Sequence, residues 1–284
     1  MIINAIFFVA AFVALIAASI ADYRKRIVSN FWWIILIIIA IAKIFAINLY
    51  ILIYLPGSEI PLIPQIFGII IGLVISVILY WIKLYGGADF KTSVSISLLI
   101  PSILDIYIVN YSNLIQIFYF PIISFYLNLG ILFLCYSFSI FLYNLISARI
   151  RHEKLFEGHK NVGFFKKLLV LFSSIIKPFD SKIKFYYLRE KIKDGNLIFH
   201  FKFSRKSNKI TRVSGIDDIN DYSYALRASN KEEEEKIKKY FEEKNIRRTF
   251  IWINPILPLI IFITLDLIIL LLFGDIILTI SQLF

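Results

Sequence analysis

Six long apolar runs, near residues 2–20, 31–54, 62–85, 93–109, 121–146 and 251–273, constrain this chain of 284 residues more than any other feature. A helix that crosses a bilayer needs about 20 mostly apolar residues. Inside the hydrocarbon a helix satisfies its own backbone polar groups, which an open strand cannot do. A soluble core has no use for this much apolar sequence: 59% of the residues are apolar, 18% are charged, and the mean hydropathy is +0.76. The chain therefore reads as an all-α polytopic membrane protein with about six transmembrane helices. The fourth run is the shortest and carries Pro101 and Asp105. The first lacks a charged leading segment and is followed by basic residues and a second long run, so it reads as a retained helix rather than a signal peptide. The single cysteine, Cys135, excludes a disulfide framework and a cysteine-based zinc module within one chain.

Charge placement orients the spans. Of 31 Lys and Arg residues, Arg24, Lys25 and Arg26 follow the first run, Lys83 and Lys91 bracket the loop after the third, and 25 lie between Arg149 and Arg248. The remaining one, Lys43, sits inside the second run, and the connections near 55–61 and 110–120 carry no Lys or Arg. Basic loops stay in the cytoplasm, so both termini are expected outside and the basic segments inside. The chain then divides into a five-helix membrane domain over 1–146, a basic cytoplasmic insert over 147–250, and a C-terminal transmembrane helix over 251–284. The net charge of +11 faces anionic lipid, and without a recognisable nucleic-acid module it does not point to DNA or RNA.

The insert reads as a small α+β region. The stretch FFKKLLVLFSSIIKPF at 164–179 has the pattern of an amphipathic helix lying on the membrane, and its length also suits a re-entrant segment. KIKFYYLREKI and NLIFHFKFS alternate apolar and polar residues around Asp194-Gly195, as a β-hairpin does. Ser229-Asn230-Lys231-Glu232 forms a capping box that predicts a helix start there, running to about 245. His152, Glu153, Glu157 and His159 do not have the spacing of a zinc helix and read as polar loop residues, so no metal and no cofactor is expected.

Chemistry is then sought among the acids at or within the runs, because ionisable groups there are costly and face functional interiors. These are Asp22, Asp89, Asp105, Asp266 and Asp275. Asp22 ends the first run and Asp89 follows the third, so both fall at the cytoplasmic boundary. Singly, each has a plain structural explanation: a polar stop after a span, and a turn in Gly86-Gly87-Ala88-Asp89.

Together they form a spaced pattern. Asp22-Tyr-Arg-Lys-Arg-Ile-Val-Ser-Asn30 resembles the D-x-R-x-x-x-[IV]-P-N segment of the type IV prepilin peptidases, and Gly86-Gly-Ala-Asp-Phe-Lys91 resembles their G-x-G-D-x-K loop. Asp22, Arg24, Val28 and Asn30 fall on the first motif; Gly86, Asp89 and Lys91 fall on the second. Ser29 stands where proline is usual, and Ala88 stands where glycine is usual. The early span and the lone cysteine look like the archaeal prepilin and preflagellin branch, whose last span has a proline-containing start that WINPILPL at 252–259 resembles. The resemblance implies a membrane aspartic endopeptidase with catalytic Asp22 and Asp89. Gly86, Gly87, Ala88 and Lys91 would form its substrate loop, and Arg24 and Asn30 would support the motif. Its partners would be precursors with short basic leaders, such as pilin-like and archaellin-like proteins, cut at the cytoplasmic membrane face. Two carboxylates in reach of each other share one proton, so one can activate water while the other protonates the carbonyl oxygen. Two other readings use the same residues differently. A presenilin-type intramembrane protease also has a G-x-G-D loop, but its first aspartate lies deep in a span. A transporter or channel would use Lys43, Asp105 and Asp266 as an ion pathway.

Overall fold

The computed structural model describes residues 2–25, 28–54, 62–82, 84–100, 121–159, 162–179, 186–193, 195–200, 219–255, 259–274 and 276. Asp105, Asp194 and Asp275 lie outside the described residues, as does the whole connection expected near 110–120. The chain forms two compact units, residues 1–133 with 258–284 and residues 134–257.

The first unit is helical. It contains α1 (Ile2–Lys25), α2 (Asn30–Tyr54), α3 (Leu62–Trp81), α4 (Gly87–Leu99), the 121–133 part of α5 (Pro121–Arg151), and α8 (Leu259–Phe273). The outer faces of α1, α2, α3 and α8 are apolar, the signature of helices whose outer face meets something other than water. In α2, Trp33, Leu36, Ala40, Lys43, Ile47 and Ile51 turn inward at three- and four-residue spacing, while Ile34, Ile38, Ile41 and Phe45 stay exposed. The inward stripe of α3 is its polar and small-residue side: Gln65, Gly68, Gly72 and Ser76. This inverts the arrangement of a soluble helix, and small residues let neighbouring backbones approach. A Cβ on Gly72 would lie 2.6 Å from the Ser97 Cβ of α4, so only glycine permits this α3–α4 approach.

Among the described residues, four helices are long and apolar enough to cross a membrane, namely α1, α2, α3 and α5; α8 is a shorter apolar helix. The expectation of six spans is therefore not reproduced. Within the described residues α4 ends at Leu99, with Ile100 in a non-helical conformation. The run expected to span from residue 251 divides, because its first residues are taken up by a sheet.

That sheet belongs to the second unit. Strand β5 (Phe250–Pro255) lies between β1 (Ile175–Pro178) and β2 (Tyr186–Leu188), antiparallel to both, with Ile253 opposite Ile175 and Leu188. Alternate residues of β5 serve two small cores. Ile251 and Ile253 join Tyr186, Leu197, Ile237 and Phe241; Phe250 and Trp252 join Val170 and Ile176. Both faces are therefore covered, which explains a strand that reads as a continuous apolar run. The hairpin of β3 (Glu190–Lys193) and β4 (Asn196–Phe199) turns at Gly195, which has φ +69, and pairs Lys193 with Asn196.

Two helix boundaries differ from the sequence expectation. The amphipathic helix α6 (Phe164–Ser173) stops before residue 179 because Ile176 and Lys177 enter the sheet. Helix α7 runs from Ile219 to Glu243, starting upstream of the predicted capping box. Within it, Asn230 donates its side-chain amide to the Tyr186 carbonyl at 2.8 Å, a tertiary contact rather than a cap.

Candidate active site

Asp22 lies in the last turn of α1 and is only 8% exposed. It continues the inward stripe Phe8, Ala11, Leu15, Ala18 at helical spacing, whereas the adjacent Tyr23 and Arg24 are exposed. A polar group that merely ends a span would turn outward with its neighbours. Burying a carboxyl in a packed stripe is costly and calls for a specific role. After the turn, Val28 packs on the core of the helical unit. The Ser29 hydroxyl accepts the Phe31 N–H at 3.3 Å as α2 begins, so this serine performs a local capping task in place of the usual proline.

Asp89 sits in the first turn of α4 and is half-buried. Gly86 precedes the helix in an extended conformation and donates its N–H to Asp89 Oδ2 at 2.9 Å. This is the carboxylate half of a capping box, and it orients the acid at the positive end of the helix. A Cβ on Gly86 would come within 3.0 Å of that oxygen, while a Cβ on Gly87 meets nothing within 4 Å. The two glycines thus differ: one protects the seat of the carboxylate, the other borders open space. Ala88 packs against the core, a role for which its methyl suits better than the usual glycine.

The two motif segments meet through their flanking residues. Lys91 Nζ donates to Asn30 Oδ1 at 2.5 Å, joining the start of α4 to the start of α2. Farther along, Lys43 Nζ donates to the Leu99 carbonyl at 2.6 Å and lies 4.7 Å over the Phe8 ring. The two ties hold α2 and α4 side by side. α2 and α8 each pack against both α1 and α4. Asp22, eight residues before the start of α2, and Asp89, two residues from Lys91, are consequently carried at the same end of the helical unit.

The three residues of the ion-pathway reading are not seen together among the described residues. Lys43 is part of the α2–α4 tie just described, and Asp105 lies outside the described residues. Asp266 is fully buried on α8, and neither of its oxygens has a hydrogen-bond partner among the described residues.

One buried constellation escapes the sequence reading. Glu190 Oε1 accepts from Arg248 Nη2 and pairs with His159 Nε2, both at 2.5 Å, and Oε2 accepts the Trp252 N–H at 2.9 Å. Burial alone would raise this carboxyl. Arg248, His159 and the Trp252 amide prevail and hold it below its ordinary value. His159 also stacks on Phe199 with ring centres 3.8 Å apart. His159 is therefore a structural residue and not a solvated loop group. Glu153 accepts from the Thr249 N–H and hydroxyl at 3.1 and 2.7 Å. Glu190 lies 31 residues from His159 and 58 from Arg248, so no local pattern announces the cluster. Among the described residues no group of three or more His, Cys, Asp or Glu is placed to hold a metal.

Residues 166–276 match the family described as Archaeal Peptidase A24 C-terminus Type II. The match begins in α6 and covers the sheet, α7 and α8. No curated protein and no solved structure matches the chain. The matched span contains neither Asp22 nor Asp89, so it is independent of the two motifs at 22–30 and 86–91.

Proposed function

We propose that the chain is a prepilin-type peptidase, a reading that the family match over residues 166–276 supports, and that it acts as a membrane aspartic endopeptidase that removes short basic leaders from pilin-like and archaellin-like precursors. One observation carries this reading: the Lys91–Asn30 hydrogen bond joins the two aspartate-bearing motifs at one end of the helical unit. In the proposed mechanism Asp22 and Asp89 share a proton. The ionised partner takes a proton from water as it attacks the scissile carbonyl, and the protonated partner donates to the carbonyl oxygen. The open space beside Gly87 is where an extended substrate backbone would approach. The basic loops argue for action at the cytoplasmic face, with the N-terminus outside. There a leader's basic segment and the bond just before its apolar stretch meet the site without unwinding a deep helix.

The reading is tested by co-expression with a candidate precursor and detection of leader loss as a gel shift. A processed, shorter product is expected. An intact precursor beside properly inserted protein would count against the reading.

Substrate charge supplies a further expectation. Replacing the basic leader residue next to the scissile bond by Glu should slow cleavage strongly, whereas raising salt should change it little. Arg24 and Lys91 make the surroundings basic, so recognition is a position-specific contact rather than long-range attraction. Equal cleavage of Lys and Glu precursors would contradict it.

The tie between the motifs has its own signature. Asn30→Ala and Lys91→Met each remove one exposed hydrogen bond, so stability should fall by less than about 1 kcal/mol. Cleavage should fall far more, because a misplacement of about 1 Å at a reacting group can cost on the order of a hundredfold. The double variant should be no slower than the slower single one, as measured by leader removal at matched protein abundance.

A further inference from the structure

We infer that α6 is an interfacial helix, seated in the lipid boundary of the bilayer that α5 crosses, at a depth fixed by Asn144. The inference rests on α5 being a span and not on the peptidase reading. Phe164 and Phe165 are 72% and 78% exposed, and Leu168 and Leu169 are 36% and 58% exposed. With Phe172 they form one broad apolar face. Val170, fully buried in the adjoining core, lies on the opposite side. Lys166 is exposed at the edge of the apolar face, and Lys167 reaches the Phe156 ring at 5.6 Å. Two adjacent, mostly exposed phenylalanines bordered by lysines match the composition of helices that lie in a headgroup boundary.

The occupant of this face is identified by where α6 is attached. Asn144 of α5 donates to the Leu171 and Ser174 carbonyls at 2.9 and 2.7 Å and accepts the Ile176 N–H at 3.1 Å. It thereby satisfies backbone groups at the end of α6 and pins them to α5. Phe172 stacks on Phe141 of α5, with centroids 4.7 Å apart and planes 9° from parallel. Arg149 and Arg151 close α5, and basic side chains at the end of a span mark the headgroup level. Asn144 precedes them by five and seven residues, which at 1.5 Å per residue is about 7–11 Å of helix. The pinned end of α6 therefore sits at roughly the 5–10 Å burial of an interfacial helix. On the same stretch of α5, Phe138, Leu142 and Ile146 are exposed and extend the apolar surface. A lipid boundary covers both helices at once, and it is already present wherever α5 spans.

The test uses the full chain in lipid nanodiscs, with Cys135→Ser as background and spin labels on single cysteines at Phe165→Cys, Lys166→Cys and Leu169→Cys. Collisions with molecular oxygen and with a water-soluble nickel chelate report depth. Labels at 165 and 169 should favour oxygen and lie about 5–10 Å below the phosphates, with 166 nearer water. Adding Asn144→Ala should release that fixed depth. Nickel access at 165 and 169 equal to that at 166 would overturn the inference. So would immobile labels shielded from both reagents, which would mean a protein partner on this face. Unchanged depth in the Asn144→Ala background would overturn the pinning role.

Discussion

Asp22→Asn and Asp89→Asn, each alone, are expected to abolish leader cleavage while leaving the protein inserted at normal abundance. Asparagine preserves size and much of the hydrogen bonding, including acceptance of the Gly86 N–H at position 89, but removes the ionisable group. Glutamate should not rescue either site. Its extra methylene displaces the carboxyl by about 1 Å or more, enough to cost on the order of a hundredfold. The double variant should be no worse than either single one, because residues acting as one catalytic unit are strongly non-additive. Asp266→Asn and Asp105→Asn should keep activity. Full cleavage by either dyad variant would sink the proposed mechanism. Loss confined to Asp105, Asp266 or Lys43 variants would favour an ion pathway instead.

The largest effect on stability is expected in the second unit, at Glu190. Glu190→Ala leaves the buried Arg248 guanidinium without its carboxylate, and breaking a buried ion pair from one side costs about 3–5 kcal/mol. Arg248→Met leaves Glu190 in the converse position and should cost a similar amount. The pH dependence follows from the lowered carboxyl. Glu190 contributes stability above its ordinary value of 4.5, and that contribution is lost as pH falls through the lower value it has in the folded protein. Limited proteolysis of the detergent-solubilised full chain should show earlier cleavage within residues 134–257 for both variants. It should also show resistance falling with acidification in the native chain and less so in Glu190→Ala. Native-like resistance of Glu190→Ala would contradict the role assigned to the cluster.

Much of the helical unit was legible because lipid imposes a simple rule on sequence: long apolar runs become helices. The rule fails at 250–255. Both faces of β5 are buried inside the second unit, so an apolar strand and the start of a span have the same composition. The hairpin turn at Gly195 was legible because a positive φ selects glycine. The start of α7 was not, since Ser229–Glu232 has capping-box chemistry within a helix that already runs from Ile219. At the candidate site the motifs single out Asp22, Asp89 and their flanking residues. They did not reveal that Asp22 turns inward with Ala18, or that Gly86 and Gly87 have different surroundings. Those distinctions depend on helix phase and on neighbours distant in sequence, as does the His159–Glu190–Arg248 cluster.

In the proposed mechanism one carboxyl from α1 and one from α4 act as a unit. This is tested most directly by proximity: in the Cys135→Ser background, cysteines replacing Asp22 and Asp89 are treated in native membranes with a short bifunctional thiol reagent. An intramolecular cross-link between positions 22 and 89 is expected, at higher yield than between 22 and a cysteine at Lys43 or Asp266. Cysteines at 22 and 89 that each react with a monofunctional reagent, yet never cross-link and label from opposite faces of the membrane, would contradict it.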